Sequence, residues 1–337
     1  MSVTIKDVAR EAGVSISTVS KVINKSPVIS NETVKKVIEV IERLEYAPNK
    51  RASNFARAKT SNIVFITTLK KGQAFDNPHM FDIMCGVQNK LEHHNYSLTI
   101  TNVNDEKNVF DTVKKIIMEK SADGVIIHCG CNKSTLDYIS EKNFPHIIGY
   151  KPDSKHSRIC WLDINNNLSG EIAARHLFGC GYRRIAFIGG SLKINVVANR
   201  FHGAQLFLNN NNLEIKDEHR LSINYNIDES YRAMVSLLNM ENRPDSVICE
   251  YSLIAVGVSK ALNIHKINVP DEMGLIMIDD NPYYKVISPA PTVVNIDVYD
   301  MGIQSAEALI RKINNPELLI QMYSTLPQLI VRETTKF

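Results

Sequence analysis

The chain has 337 residues, 44% of them hydrophobic, which is enough for two or three domains with ordinary cores. It contains no apolar run long enough to span a membrane, and its first residues lack the apolar segment of a signal peptide, so we expect a cytoplasmic protein without a membrane partner. The net charge of +3 is uneven: residues 1–60 contain 11 Lys and Arg against 6 Asp and Glu, a net of +5, and the remainder therefore carries −2. A basic N-terminal segment is where a polyanion such as DNA would bind.

Three helices are predicted in the N-terminal segment. Thr4 and Ser15 are suitable N-caps for the first two helices, and Ser30 is suitable for the third. Gly13 suits the left-handed conformation that ends a helix, so the first helix should stop there. The second helix should run to about Asn24, and the third has an apolar stripe with a period of 3.6 residues.

The first two helices have the spacing of a helix-turn-helix, which leaves the second helix free to enter the major groove of DNA. Its apolar positions hold one face against the neighbouring helices, and the opposite face contains Ile16, Ser17, Lys21 and Asn24. Lys21 can donate to guanine or phosphate, Ser17 can pair with several base edges, and Ile16 can contact a thymine methyl group. Thr18 and Ser20 are better placed for phosphates. The alternative is an ordinary small helical bundle.

From residue 62 onward, short apolar runs alternate with amphipathic stretches. The apolar runs predict strands at 62–68, 97–103, 123–128, 146–150, 184–190, 246–250 and 273–278. Helices are predicted between most of them, near 80–95, 107–120, 134–143, 166–179, 197–211, 229–240 and 252–263. This alternation indicates two parallel sheets with helices on both faces, divided by a break near 150–162 and rejoined by C-terminal segments at 291–297, 299–313 and 327–332. Ligands of such folds bind at the carboxyl ends of the strands, which here form a cleft between the sheets.

No catalytic or metal-binding set is evident in the sequence. Six cysteines are scattered, and Cys129 and Cys131 have no second pair to complete a tetrahedral site. The pair Gly189 and Gly190 does not form a phosphate-binding loop, and no Gly-x-Ser-x-Gly nucleophile elbow is present. We therefore expect reduced thiols, no metal, no cofactor and no enzymatic activity.

Three N-terminal motifs occur together: TIKDVAREAGVS at 4–15, TVSKVIN at 18–24 and EYAPN at 45–49. In this combination they resemble the head of LacI/GalR-family transcriptional regulators, and looser landmarks such as Arg200-x-x-Gly203 continue the resemblance to about residue 333. The resemblance implies an N-terminal all-α helix-turn-helix head and an α/β periplasmic-binding-protein-like core of two parallel-sheet subdomains. It also implies a homodimer that binds double-stranded, pseudo-palindromic operator DNA, in most relatives as a repressor controlled by a small-molecule effector.

The resemblance sets the expected domain boundaries. The helix-turn-helix domain should occupy 1–47, the hinge 48–60 and the core 61–337. Within the core, one subdomain is expected to contain about 61–160 plus 292–325, and the other 161–291 plus 326–337.

The hinge has a sequence of its own, KRASNFARAK at 50–59, with four cations. In the family this segment becomes helical on the operator and inserts a leucine into the minor groove, and Phe55 stands at that position here. The resemblance thus extends the DNA-binding candidates to Thr4, Ser15, Tyr46, Asn49, Ala52 and Phe55. The alternative is a flexible basic linker.

The resemblance also points to effector-binding residues. Arg200 and Asp279 match the arginine and aspartate with which the family binds effectors, and together they suit a polyhydroxyl ligand. The alternative is a structural Arg–Asp pair across the cleft. Tyr225 matches an aromatic residue that family members place against the ligand, although a core role is equally compatible with it. Thr68 is a further candidate to line the cleft, and residues 70–80 are predicted to form a loop over its entrance.

Two polar residues of the family are replaced by aromatic ones. Tyr150 stands in place of an aspartate, and Tyr251 in place of an asparagine. Tyrosines stack on a pyranose or a base and form hydrogen bonds through their hydroxyls, so we expect a sugar or a nucleoside-like effector. Two alternatives stay open. One is a regulator whose degenerate cleft is controlled by a protein partner, and the other is a sugar-binding protein that does not bind DNA.

Overall fold

The computed structural model describes residues 3–23, 26–46, 59–69, 78–152, 158–281, 284, 287–324 and 326–336. The chain forms two compact units, residues 1–61 and 62–337. Most of the predicted hinge lies outside the described residues, as do residues 70–77 of the predicted entrance loop. Four predicted DNA-binding residues also lie outside them: Asn24, Asn49, Ala52 and Phe55.

The N-terminal unit contains the three expected helices, α1 (Ile5–Ala12), α2 (Ile16–Ile23) and α3 (Asn31–Arg43). They pack around one small core, because each helix places its apolar stripe toward the other two. Its fully buried members are Val8, Ala12, Val19 and Val37. The helix-turn-helix spacing predicted from the sequence is therefore present.

Local hydrogen bonds fix the first helix and the turn after it. The backbone N–H and the hydroxyl of Thr4 both donate to Asp7 Oδ2, at 3.0 and 2.7 Å. Gly13 has a φ of +62°, in the left-handed region where a residue without a Cβ meets no steric penalty. The turn between α1 and α2 therefore starts where the sequence predicts.

Serine N-caps begin the second and third helices, as predicted. Ser15 Oγ accepts a hydrogen bond from the Thr18 N–H at 3.1 Å, and Ser30 Oγ accepts one from the Thr33 N–H at 3.3 Å. Each bond satisfies one of the N–H groups that the start of a helix leaves unpaired.

In the described part of the second unit, strands and helices alternate. The strands are β1 (Asn62–Thr67), β2 (Ser97–Asn102), β3 (Gly124–His128), β4 (His146–Ile148), β5 (Trp161–Asp163), β6 (Ile185–Gly189), β7 (Arg220–Ser222), β8 (Ser246–Cys249), β9 (Gly274–Ile278), β10 (Thr292–Asn295), β11 (Gln321–Tyr323) and β12 (Gln328–Ile330). The helices are α4 (Pro78–Glu92), α5 (Glu106–Glu119), α6 (Lys133–Glu141), α7 (Asn166–Gly179), α8 (Asn195–Asn209), α9 (Ile227–Leu238), α10 (Ser252–Ile264) and α11 (Val298–Asn314). Among the helices in the described ranges, none is both long and apolar enough to cross a membrane.

The strands form two six-stranded sheets, in the orders β11-β5-β4-β3-β1-β2 and β12-β10-β9-β8-β6-β7. All pairings are parallel except that of β12 with β10. Central strands such as β6, β8 and β9 are buried along their length, because helices cover both faces of each sheet. This architecture confirms the predicted fold class, a helical head with an α/β core of two parallel-sheet halves. The halves are called the first and the second half of the core below.

The chain passes between the two sheets a few residues later than predicted. β5 at 161–163 pairs with β4 and β11 in the first sheet, whereas the predicted division placed it in the second half. β10 at 292–295 pairs with β9 in the second sheet, whereas it was expected in the first half. An apolar run predicts a strand but carries no information about its partner, so the crossing points could not be fixed from the pattern.

Helices α7 and α8 approach each other at two glycines. A Cβ at Gly170 would lie 1.8 Å from the carbonyl oxygen of Arg200, and a Cβ at Gly203 would lie 1.9 Å from that of Asn167. No other residue type fits such a contact without moving one helix. The glycines thus position α8, and with it Arg200, at the edge of the second sheet.

Candidate functional sites

The exposed face of α2 carries the side chains predicted to contact DNA bases. Ile16 is 45% exposed, and Ser17 and Lys21 are exposed as well. Val19 and Val22 lie on the opposite side, in the core of the head. The helix therefore presents one lysine, one hydroxyl and one apolar side chain, which are groups that can be matched to base edges in a major groove.

Three hydroxyl groups are linked at the start of α2. Ser15 Oγ lies 2.8 Å from both Ser17 Oγ and Thr18 Oγ1. Ser20, one turn further along, is half-buried. Hydroxyls grouped at a helix start suit the phosphate contact predicted for Thr18, because the helix N-terminus favours negative charge. The phosphate contact of Ser20 stays a prediction.

Two further predicted DNA contacts lie at the edges of the head. Thr4 is exposed, and its hydroxyl donates to the Asp7 carboxylate, so in this structure Thr4 stabilises the start of α1. The same hydrogen bonds hold the pKa of Asp7 below its usual value. Tyr46 follows α3 and packs, half-buried, against the core of the head. Their contacts with DNA stay predictions.

In the core, Arg200 on α8 is a buried cation, 6% exposed. Its Nη1 donates to Glu250 Oε1 at 2.8 Å and to the Glu250 carbonyl at 2.9 Å, and its Nε donates to Asn166 Oδ1 at 3.0 Å. Glu250 directly follows β8, and Asn166 begins α7, so Arg200 joins the ends of three elements. As the structural alternative, the sequence suggested Asp279 as its partner. That pairing is wrong, and the partner is Glu250.

Glu250 is the principal residue that sequence reasoning missed. It is 2% exposed, and its Oε2 accepts a hydrogen bond from the Tyr225 hydroxyl at 3.0 Å. Burial raises the pKa of Glu250, while Arg200, Tyr225 and the Gly190 backbone oppose that rise. The sequence does contain a feature that could have identified Glu250. An acidic residue directly after the apolar run at 246–249 is expected to be buried, and a buried carboxylate needs a partner.

Asp279 directly follows β9 and is 4% exposed. Its φ of +90° is rare for a residue with a side chain, costs about 1–3 kcal/mol, and is typical of functional sites. Its Oδ2 is in contact with His79 Nε2. His79 lies in the first turn of α4, which packs on the first half, so the pair joins both halves across the cleft.

The start of α4 corrects the prediction of a loop over 70–80. Pro78 begins the helix, since proline is well suited to the first helical position, and residues 78–80 are therefore helical. This turn brings His79 to the cleft as a side chain of α4. The sequence places His79 at the cleft entrance as part of 70–80, but it predicts neither the helical turn nor the contact with Asp279.

A row of aromatic rings lies beside these charges. The ring centroids of Tyr225 and Tyr251 are 4.9 Å apart, and those of Tyr251 and His79 are 5.9 Å apart. Tyr225 is 38% exposed, which argues against the core role considered for it. Tyrosine faces in a cleft are surfaces on which a sugar or a base can stack.

Tyr284 belongs to the same cluster and was also not predicted. It is 2% exposed, and burial together with the nearby Asp279 raises its pKa. Its hydroxyl has no hydrogen-bond partner within the described ranges. A buried hydroxyl without a partner costs about 1–3 kcal/mol, a cost that a polar group of a ligand would offset.

The candidates from the first half lie at the carboxyl edge of its sheet. Tyr150 Oη accepts a hydrogen bond from the Cys131 N–H at 3.0 Å and lies 3.1 Å from Cys131 Sγ, so its hydroxyl is engaged beside the end of β3. Thr68 follows β1 and is half-buried. At the end of β3, burial lowers the pKa of His128 to about 4, which keeps this imidazole neutral at physiological pH.

A surface groove of about 520 Å³ lies elsewhere, between α7 and α8. It is lined by residues such as Asn167, Arg175 and Phe207 and contains none of the predicted effector residues. Ligand sites need convergent polar groups, and those of Arg200, Glu250 and Asp279 lie at the carboxyl edge of the second sheet, so this edge is the stronger candidate. Within the residues that the structure describes, no three His, Cys, Asp or Glu side chains are grouped as metal ligands.

Two family models match the chain. The model described as bacterial regulatory proteins, lacI family, matches residues 4–49. The model described as a periplasmic binding protein-like domain matches residues 174–335. The first match covers the predicted helix-turn-helix domain, and the second covers a large part of the core.

Similar proteins match over the whole length. The HTH-type transcriptional repressor PurR of Haemophilus influenzae is 27% identical over 339 residues, 99% of this chain and 98% of that protein. The probable HTH-type transcriptional repressor ExuR of Bacillus subtilis is 29% identical over 339 residues, with the same coverage of 99% and 98%. The solved structure of the Lac repressor dimer bound to operator and the anti-inducer ONPF is 20% identical, with a TM-score of 0.83 and 100% of both chains covered. Each match includes both the helical head and the α/β core.

Proposed function

The chain belongs to the LacI family of bacterial regulatory proteins, and we propose that it acts as a homodimeric transcriptional repressor under the control of a small molecule. One observation carries this proposal: the family match over 4–49 coincides with a helix α2 whose Ser17 and Lys21 face is exposed while Val19 holds the other face in the core. A regulator of transcription works where the chromosome lies, so we place the protein in the cytoplasm.

In the proposed complex, α2 of each protomer enters the major groove of one half of a two-fold-symmetric operator. Lys21, Ser17 and Ile16 contact base edges, and Thr18 and Ser20 contact phosphates. The hinge contributes Phe55 as a wedge in the minor groove between the half-sites. The basic surplus of residues 1–60 adds attraction to the phosphate backbone that does not depend on sequence.

The proposed effector is a sugar or a nucleoside-like compound bound in the cleft between the halves of the core. Support comes from the tyrosine pair Tyr225 and Tyr251, which offers stacking faces, and from the polar groups of Arg200 and Asp279 beside them. A ligand that contacts both halves would favour one relative arrangement of the halves over the other. It would thereby shift the dimer from one of its two states toward the other.

A cleft controlled by a protein partner is the second candidate function. It is favoured by the internal pairing of the two charged effector residues, Arg200 with Glu250 and Asp279 with His79. Thermal-shift measurements with a panel of sugars and nucleosides separate the two candidates. Stabilisation that Tyr225→Ala removes supports a small molecule, and a panel without any stabilising member favours the partner.

Selection from a random pool of duplex DNA tests the DNA-binding function. We expect the full chain to enrich a two-fold-symmetric site, because two copies of α2 are presented by one dimer. The fragment 62–337, which lacks the head, is expected to enrich no site. Recovery of only unrelated sequences by the full chain, at a level that falls with salt, would overturn the proposal by showing that binding is non-specific.

A further inference from the structure

The donors of Arg200 are largely used within the protein. Nη1 donates twice to Glu250, and Nε donates to Asn166. Counting contacts with the described residues, Nη2 is the nitrogen left to donate to an effector. The Glu250 carboxylate, 2.8 Å from Nη1, also offsets the positive charge. Both side chains are shielded from solvent, so this neutralisation is stronger than it would be at a surface.

Glu250 also determines which way Tyr225 forms hydrogen bonds. The Tyr225 O–H donates to Glu250 Oε2 at 3.0 Å, so the phenol oxygen has only lone pairs left for another molecule. Tyr225 is 38% exposed, whereas Glu250 is 2% exposed. The part of this cluster that a ligand can reach is therefore an aromatic ring with a hydrogen-bond acceptor at its tip.

The buried charges around the cleft are mostly negative. Three carboxyl groups, those of Asp163, Glu250 and Asp279, are each at most 8% exposed, against one buried guanidinium, that of Arg200, and the His79 imidazole beside Asp279. Asp163 accepts from the backbone N–H groups of Lys151 and Ile164, at 2.9 and 2.7 Å. Asn166 links Asp163 to Arg200, because its Nδ2 lies 3.5 Å from Asp163 Oδ1 while its Oδ1 accepts from Arg200 Nε at 3.0 Å. An incoming ligand thus meets more acceptors and negative charge than donors and positive charge.

We propose that Glu250 makes the cleft selective for uncharged or positively charged ring compounds that carry hydrogen-bond donors, and that it excludes carboxylates and phosphates. This inference rests on the proposed function and narrows its effector class to free sugars, amino sugars, nucleosides and bases, as opposed to sugar acids, sugar phosphates and nucleotides.

The exclusion follows from the arrangement of charges. An anionic ligand must either displace Glu250 from Arg200 or lie beside the buried Glu250 carboxylate. Both outcomes are unfavourable, because buried like charges in contact repel each other and a displaced buried charge loses its partner. N–H and O–H groups, in contrast, match the acceptors at Tyr225 and Asp279. The tyrosine faces accept a flat ring or a cation equally well.

Inorganic phosphate is the probe for the first test, in thermal unfolding of the full chain with chloride at equal ionic strength as the reference. Glu250→Gln removes the charge and leaves Arg200 to bind anions, so we expect this variant to bind phosphate at least about tenfold more tightly than the wild type. Arg200→Met added to Glu250→Gln should remove the gain. Glu171→Gln is the matched control, because it removes the carboxylate from the exposed pair with Arg175, and no gain is expected there.

Phosphate that binds the basic head would stabilise every variant equally. The increase in melting temperature that phosphate causes in each variant is therefore compared with the increase in Glu171→Gln. Absence of a gain in Glu250→Gln would overturn the proposal, as would a saturable gain in the wild type that Arg200→Met removes.

A second test uses the wild type alone and decides the question even if Glu250→Gln does not fold. Glucose, glucosamine and glucuronate are compared in thermal unfolding, together with adenosine and its monophosphate. Glucuronate or the nucleotide should not stabilise the protein more than the uncharged compound of its set, and a clear preference for the anion would contradict the proposal. Failure of the proposed repressor function can be distinguished from failure of this inference. The former appears as a DNA selection that enriches no site, and that result does not depend on how the protein responds to phosphate.

Discussion

His79 near the start of α4 contacts Asp279 at the end of β9, side chain to side chain, and thereby links the two halves of the core across the cleft. The side chains are only 15% and 6% exposed, so solvent screens the pair weakly. The Tyr251 ring lies beside His79, with 5.9 Å between the ring centroids. A ligand that binds Asp279 competes with His79, which gives this contact a direct influence on how the halves are held together.

A double-mutant cycle with His79→Gln and Asp279→Asn measures this link. We expect a coupling free energy of about 0.5–3 kcal/mol in urea unfolding, since the two side chains are in contact and largely buried. The exposed pair Lys133 and Asp137 is the control, with an expected coupling of only a few tenths of a kcal/mol, about 0.3–0.5. Additive effects of His79→Gln and Asp279→Asn would show that the contact does not hold the halves together.

Arg200→Met is expected to destabilise the core by about 3–5 kcal/mol at neutral pH, because it leaves the Glu250 carboxylate buried without its cation. Burial raises the folded-state pKa of Glu250 above its ordinary value of 4.5, and loss of Arg200 removes an interaction that opposes the rise. Because this pKa is raised, the contribution of Glu250 to the free energy of unfolding is fully present below pH 4.5 and is lost as the pH rises through the folded-state pKa. The deficit of Arg200→Met should therefore be small near pH 4.5 and should grow toward pH 8.

Urea unfolding at several pH values tests that trend, with the exposed Arg175→Met as the control. The control should lose little stability at any pH, because its pair with Glu171 is on the surface. An equal loss for Arg200→Met at low and high pH would mean that the uncompensated Glu250 charge is not the cause.

Gly203→Ala should destabilise the core by about 1–3 kcal/mol, since the new methyl group would overlap with the carbonyl of Asn167 and push α8 away from α7. Gly179→Ala, at the end of α7, is the matched control, because a Cβ there meets no atom within 4 Å. The control is expected to be neutral or slightly stabilising in thermal unfolding. Similar melting temperatures for the two variants would contradict the close packing of the helices.

The sequence predicts the fold far better than it predicts the chemistry of the cleft. Buried parallel strands such as β6 and β9 leave continuous apolar runs, so the pattern locates them. β7 and β11 have three residues each, which is too few for a periodicity to show. Pairing partners depend on tertiary contacts, and for this reason neither Glu250 as the partner of Arg200 nor His79 as the partner of Asp279 could be derived from spacing alone.

The head illustrates the opposite case, because its caps and turn are local. The hydroxyl of Ser15 and the left-handed Gly13 act within a few residues, and both were located correctly. The base-contacting role of α2 needs DNA to be observed, and it stays a prediction.

Phe55→Ala is expected to weaken binding to the selected operator much more than binding to random DNA. A wedge side chain is used only where the minor groove is opened at the centre of a specific site, whereas non-specific binding depends on phosphate contacts. Titration of both DNAs at one fixed salt concentration measures the two losses, with Arg57→Ala as a control that should weaken both DNAs similarly. Equal losses for Phe55→Ala on both DNAs would refute the wedge.

The central claim, that α2 identifies the operator by contacts to bases, is tested most directly by repeating the DNA selection with Lys21→Ala. Lys35→Ala, an exposed lysine of α3, serves as the control and should leave the selected sequence unchanged. We predict that Lys21→Ala relaxes or changes the preferred base at one position of each half-site, at a cost of about 1–3 kcal/mol for the original operator. An unchanged sequence preference with uniformly weaker binding would contradict the claim for Lys21, because it would show that this lysine contacts phosphate only.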